Sequence, residues 1–321
     1  MIDSPSFPAA TMQYRKLGNT GMEVSCLSLG ASSLGGVFHA IDEAQGIATV
    51  CAAVEQGINF IDVAPYYGFQ KAELVLGKAL QHIPRDKYYL STKVGRYGQD
   101  GVKSWDYSAT RAIRSVEESL ARLQVDYIDL LNVHDIEFSD LDQVVGETIP
   151  ALQSLKAMGV IGHVGITGLP LEKFRQVIDR VPAGTVETVL SFCHYCLNDA
   201  TLLDYLPYFE QHGVGIINAS PLAMGMLSER GAPDWHPASE GLKEHAKAAA
   251  AFCKRNNYPI EKLAIQFSVA NPHIPTTLVS TARPENILRN IAWAAEPLDQ
   301  DLLQQVQGIL QPVLNETWEN S

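Results

Sequence analysis

The sequence has no apolar run of about 18 residues, so no transmembrane helix is expected. Its opening stretch, MIDSPSFPAATMQYRKLG, lacks a basic start followed by an apolar core, and it is not rich in arginine. Neither a secretory signal nor an organellar transit peptide is expected, and residues 1–12 read as a loose tail. Positive charge is in the minority: 24 Lys and Arg face 36 Asp and Glu, a formal net charge of −12. That balance argues against nucleic acid and anionic membrane as partners. Cysteine is sparse, with five scattered over 321 residues, as in a reduced cytoplasmic protein. Cys193 and Cys196 do form C-x-x-C, but they follow an apolar strand instead of opening a helix, so ordinary buried thiols are expected. Also missing is G-x-G-x-x-G, the phosphate turn of doubly wound dinucleotide folds.

What is present is a large apolar fraction, 46% against 19% charged, arranged periodically. Eight short apolar runs read as strands: SCLSLGAS, NFIDVA, YYLSTKV, YIDLLNVH, IGHVGITG, TVLSFC, VGIINASP and TTLVSTA. Helical spacing lies between them. From Tyr107 to Leu123, Ile113, Val116, Leu120 and Leu123 recur at three and four residues, with Ser108 as the N-cap. A second such stretch runs from Leu141 to Met158. Eight alternations predict an α/β fold, a closed (β/α)8 TIM barrel, as one domain over residues 1–321. The earlier segment around GNTG predicts a β-hairpin closing the bottom of that barrel. The longest irregular stretch, SERGAPDWHPASEG, follows the seventh run and is expected to be functional.

Active sites of such barrels lie at the C-terminal strand ends. Polar residues collect there: Asp62, then Tyr66 and Tyr67, then Lys93, His134 with Asp135, Thr167, Ser191, Ser220, Ser280 and Thr281. Asp62 with Lys93 can be a purely structural ion pair, and His134 alone a satisfied core histidine. Taken together, the types suggest acid/base chemistry. A free tyrosine titrates near 10, a neighbouring ammonium lowers that value, and a carboxylate fixes the ammonium. A histidine then orients a substrate oxygen or helps move its proton. This set suits interconversion of an alcohol and a carbonyl. A metal site from His134, His163, His194 and Asp135 is not expected, because the first strand carries no H-x-H pair.

From Gln13 to Asn290 the sequence resembles the aldo-keto reductases, through YRKLGNTGMEVSCLSLG, GINFIDVAPYYG, LSTKVG, SLARLQVDYIDL, GITG, ASPLAMGML and RPENILRN. The resemblance implies a tetrad of Asp62, Tyr67, Lys93 and His134, with Tyr67 placed by its spacing of five from Asp62 and by Gly68 after it. It also implies a nicotinamide cofactor lying extended over the barrel mouth. By position, Thr167, Ser191, Ser220, Pro221, Leu222, Ser280, Thr281, Arg283, Asn286 and Asn290 would hold it. The sequence departs from the family pattern at Gly168, Ser191 and Ala219. Ser280 and Asn286 stand where members that prefer NADP place a Lys and an Arg, so NAD is expected rather than NADP.

Further stretches, HDIEF, GITGLPL, LSFCHYCLND, NASPLAMGML and APDWHPAS, are similar to the branch of sugar 1-dehydrogenases acting on L-galactose, L-fucose and D-arabinose. That branch implies oxidation of an aldose at its anomeric carbon to the lactone, with Tyr67 as general base. Loop residues suited to a sugar are Trp105, Asp135, Phe138, His194, Tyr195 and Trp235; each can instead cap or pack against the rim. A monomer or weak homo-oligomer is expected. The alternatives are an NADPH-dependent aldehyde or ketone reductase, and a nucleotide-binding regulatory protein of the same fold.

Overall fold

The computed structural model describes residues 12–37 and 40–318. Most of the expected N-terminal tail, residues 1–11, lies outside the described residues. Met12, its last member, packs against the barrel's helix layer beside Cys26.

Each of the eight apolar runs forms a strand. After a hairpin of β1 (Tyr14–Lys16) and β2 (Glu23–Ser25) come β3 (Leu27–Gly30), β4 (Phe60–Asp62), β5 (Tyr89–Val94), β6 (Ile128–Val133), β7 (Ile161–Gly168), β8 (Thr188–Phe192), β9 (Gly215–Ala219) and β10 (Thr276–Ser280). β3 to β10 pair in parallel, and β10 closes on β3, giving the expected barrel. The hairpin pairs antiparallel. Its Leu17, Met22 and Val24 are buried against Phe60, Leu130, Leu190, Ile217 and Leu278 of the barrel interior. That apolar plug fills one end of the lumen and leaves the other for polar side chains.

The helix Ala109–Leu123 starts where Ser108 accepts a hydrogen bond from the Arg111 amide at 3.3 Å, the expected cap. Its buried face runs through Ala112, Ser115, Val116, Ser119 and Leu123. Ile113, expected on that face, is 37% exposed, because the strip of contact is set one residue earlier. The Leu141–Met158 stretch is helical but not uniform. Residues Val144–Thr148 widen into a π-turn before Ile149–Ala157. Pro150 accounts for this: it has no N–H, and its ring crowds the carbonyl four residues back, so the hydrogen-bond ladder shifts register.

Two helices, Glu240–Arg255 and Ile260–Ala270, separate β9 from β10, and Gln300–Leu310 packs on the first of them. The long irregular stretch is pinned by His236, whose Nε2 meets the Ala223 carbonyl at 2.9 Å while Nδ1 accepts from the Ala238 amide. All five cysteines are free thiols. Burial pushes Cys193 up to about 12, which suits an inert thiol and not a redox pair. Among the described residues, no helix is long and apolar enough to cross a membrane.

Candidate active site

The segment Leu90-Ser91-Thr92-Lys93 builds the centre of the site. Side chains alternate along a strand, so Ser91 and Lys93 face the lumen while Thr92 faces the helices. Lys93 is 1% exposed and Asp62, on the neighbouring strand, 2%. Lys93 Nζ donates to Asp62 Oδ2 and, at 2.8 Å, to the Val63 carbonyl. Ser91 Oγ donates to Asp62 Oδ1 at 2.8 Å, and Asn132 Nδ2 donates to Ser91 Oγ at 2.9 Å. The buried charges are therefore paired and further hydrogen-bonded, as burial demands.

Tyr67 is held over this pair by its backbone. A Cβ on Gly35 would stand 2.6 Å from the Tyr67 carbonyl oxygen, and one on Gly68, at φ +59°, would stand 2.0 Å from the Gly35 oxygen. Only two glycines let the β3 exit turn cross the Tyr67 peptide this closely. Lys93 Nζ lies 5.0 Å from the Tyr67 ring centroid. Tyr67 and His134 meet edge to face at 5.8 Å. Tyr66 also faces His134, at 6.0 Å, but its cation is Arg96, not Lys93. Thus Asp62, Lys93, Tyr67 and His134 come together, and of the two tyrosines Tyr67 is the one beside the lysine.

The electrostatics differ from the sequence expectation in one respect. Burial pushes the Tyr67 phenol above its ordinary value. Lys93 opposes this as a charge and as a hydrogen-bond donor, but Asp62 and Asp135 add to the burial effect, so the phenol is not lowered. Burial also works against the Lys93 ammonium, but Asp62 and Tyr67 outweigh it and hold Lys93 above the ordinary lysine value. Burial, helped by Arg96 and Lys93, holds His134 down at about 3, against the pull of Asp135. At about 3, the His134 imidazole is neutral at physiological pH.

A second cluster adjoins the first. Asp135 follows β6 in a left-handed conformation, φ +42°. Its carboxylate accepts from Arg96 Nη1, accepts from Thr167 Oγ1 at 2.9 Å, and lies 3.6 Å from His134 Nε2. The Arg96 guanidinium sits 4.1 Å from the Tyr66 ring, 4.3 Å from Trp105 and 4.9 Å from Phe138. Of the loop residues expected for a substrate, Trp105, Asp135 and Phe138 gather here. His194 instead bonds within its own loop, to Asp199 and Thr201. Tyr195 stacks on Phe267 of the helix layer, and Trp235, 57% exposed, stacks on His236. Arg96 was not among the expected site residues, although its place three residues after Lys93 beyond a strand end was a usable signal.

The residues expected to hold a cofactor line the strand ends from β7 round to β10. Thr167 is bonded to Asp135. Ser191 is buried on a level with Gly168, and its hydroxyl has no partner. Ser220 has φ +58°, and Ala223 and Met224 beyond Pro221 and Leu222 are left-handed too. Ser280 joins a hydroxyl cluster with Ser32 and Ser33. Thr281 accepts from the Arg283 amide and from Asn286 Nδ2, and Arg289 donates to Asn286 Oδ1 at 2.9 Å. Arg283 is exposed at the start of Pro284–Ala295, which also carries Asn290.

A buried carboxylate–ammonium pair beside a phenol, facing a neutral imidazole, has the chemistry needed to pass a proton to or from an oxygen placed among them. Known proteins share the frame. An L-galactose dehydrogenase from Arabidopsis thaliana is 51% identical, over 96% of this chain and 97% of that protein. A D-threo-aldose 1-dehydrogenase from a Pseudomonas species is 27% identical, over 86% and 91%. Among solved structures, an aldo-keto reductase from Bacillus halodurans in its holo form aligns with a TM-score of 0.78 at 28% identity, covering 97% of this chain and 99% of that one. The model of the aldo/keto reductase family matches residues 26–311. On that match, and with this barrel beneath it, the chain belongs to the aldo/keto reductase family.

Proposed function

We propose that the protein is an NAD-dependent aldose 1-dehydrogenase that oxidises the anomeric carbon of a cyclic sugar, L-galactose first and L-fucose or D-arabinose next, to the lactone. The observation that carries this reading is the 51% identity to an L-galactose dehydrogenase in a chain whose Asp62, Lys93, Tyr67 and His134 converge on one point.

The residues of the rim suit a dinucleotide. Ser191 keeps a buried hydroxyl without a partner, and Ser220, Ala223 and Met224 turn the following loop through left-handed backbone, which favours an anion-binding concavity. Ser191 and Asn290 offer neutral hydrogen bonds, while Thr167 and Asn286 would have to give up the bonds they make to Asp135 and Thr281. This donor set fits a dinucleotide. Ser280 and Asn286 are uncharged and already tied to neighbours, which supports NAD; Arg283 and Arg289 are the cations that an NADP reading would have to use.

When bound, the nicotinamide supplies the acceptor for the hydride that leaves C1. The chain's own residues handle the proton. Tyr67, as phenolate, takes the proton of the C1 hydroxyl as the C–H bond breaks, leaving the lactone carbonyl. Lys93 stabilises that phenolate, and Asp62 keeps Lys93 in place. His134, neutral, hydrogen-bonds the same oxygen through the step.

The test is a panel of aldoses (L-galactose, L-fucose, D-arabinose, L-glucose) offered with NAD and separately with NADP, followed by absorbance of the reduced cofactor. Turnover of at least one aldose, faster with NAD, is expected. No aldose turnover together with consumption of NADPH on simple aldehydes would sink the reading in favour of a reductase. Ser280→Lys with Asn286→Arg should shift preference toward NADP by about tenfold; no shift would place the 2′-phosphate contacts elsewhere.

A further inference from the structure

The Arg96–Asp135 pair is costly where it stands. Its side chains are only 12% and 10% exposed, so two charges are taken from water. Asp135 also holds a left-handed backbone, an unfavourable conformation for a residue with a side chain. Arg96 Nε and Trp105 Nε1 are buried without partners. An apolar packing of Tyr66, Trp105 and Phe138 would avoid the cost of burying the two charges.

The position of the pair suggests what it does. Asp135 Oδ2 lies 3.6 Å from His134 Nε2. An oxygen held by His134 therefore has its neighbouring hydroxyl, roughly 3 Å away, within reach of Asp135 and of the guanidinium bonded to it. A hydroxyl both donates and accepts, and an arginine–carboxylate pair answers both needs. Three rings fix the guanidinium in place, so little freedom is lost when it binds.

We infer that Arg96 and Asp135 read the hydroxyl on the sugar carbon next to the reacting one, Arg96 donating a hydrogen bond to its oxygen and Asp135 accepting one from its O–H. This rests on the aldose reading and adds a specificity determinant to it.

The experiment compares the best aldose with its 2-deoxy analogue. Both kcat/KM with NAD, and Kd by calorimetric titration in the presence of NADH, are measured for wild type, Arg96→Leu and Arg96→Lys. Wild type should prefer the parent sugar by about 10- to 100-fold on both scales. In Arg96→Leu that ratio should fall to about one. Arg96→Lys keeps the charge but not the flat fork, guards against a folding failure, and should lose at least about threefold of the ratio. An unchanged ratio, with both sugars slowed equally, would overturn the inference and leave the pair a positioning device for His134. If wild type turns over neither sugar, the aldose reading fails. The titration still decides: a parent sugar bound no tighter than its 2-deoxy analogue, or not bound at all, overturns the inference.

Discussion

Two buried ion pairs hang from adjacent residues of β5, one on each face of the sheet. Inside the lumen, Ser91 and Lys93 hold Asp62. Outside, Thr92 Oγ1 donates to Glu73 at 2.7 Å, and Arg122 Nε donates to the same carboxylate at 2.6 Å. Asp62 and Glu73 are 2% and 0% exposed, and each takes one hydroxyl and one cation. Their chemistry is nearly the same, and their surroundings are not. The inner pair faces Tyr67 and His134; the outer pair is locked between the helices Lys71–Leu80 and Ala109–Leu123. A buried ion pair is thus no evidence of function by itself. What it touches on the open side decides.

The largest effect expected is on the inner side. Tyr67→Phe and Lys93→Met should each lower kcat by about 10²- to 10⁴-fold, with nucleotide affinity little changed. Tyr66→Phe should stay within severalfold of wild type, because Tyr66 has no contact with Lys93. If Tyr66→Phe is the inactive variant, the assignment of the proton carrier is wrong. On the outer side, Glu73→Ala should cost about 2 to 4 kcal/mol in urea unfolding, since Thr92 loses its buried acceptor and Arg122 keeps only the longer contact with Glu118, at 3.8 Å, and the Ser119 hydroxyl. Its kcat per folded molecule should be unchanged. A loss of kcat without a loss of stability would break the contrast between the two faces.

The pH profile sharpens the same contrast. Burial keeps the Tyr67 phenol protonated above its ordinary value, and sugar oxidation needs the phenolate. Oxidation should therefore speed up with pH from about 6 to about 9, by up to about tenfold per unit, while reduction of a carbonyl, which needs the phenol, should not. His134, at about 3, contributes no acid limb in that range. A bell-shaped oxidation profile with a limb near the free histidine value of about 6.5 would show that His134 titrates after all.

Much of this was legible in the sequence. Apolar runs of four to eight residues can be read because a parallel strand is buried on both faces. Charged groups at their ends can be read because such residues are rare there. That covers all eight strands and the gathering of Asp62, Lys93 and His134 at one end of the barrel; the choice of Tyr67 over Tyr66 came from the family resemblance. Contacts made between loops were harder to read. His194, Tyr195 and Trp235 were candidates for the substrate side, but loop aromatics have no period that tells which way they face. Arg96 gained its role from three rings on three separate segments. The Glu73–Arg122 pair joins two helices 49 positions apart in the chain, with nothing local to announce it. The π-turn before Pro150 was readable in principle from the proline, and was missed because the apolar spacing continues through it.

The smallest effect is the most discriminating, because it uses neighbours in the chain. Alternation along β5 puts the Ser91 hydroxyl inside and the Thr92 hydroxyl outside, and both residues are fully buried. Ser91→Ala removes the hydroxyl that bonds Asp62 Oδ1 and the acceptor used by Asn132 Nδ2. Asp62 then keeps Lys93 but loses its second tether, so the lysine is held less firmly beside Tyr67, and kcat should drop about fivefold. Thr92→Val keeps the shape of the side chain and removes one donor from Glu73, which retains Arg122. The expected cost is about 1 kcal/mol of stability, read from the urea midpoint, with kcat unmoved. If Thr92→Val slows the reaction more than Ser91→Ala does, then the outer pair is coupled to the site through the strand, and the division of labour between the two faces of β5 is wrong.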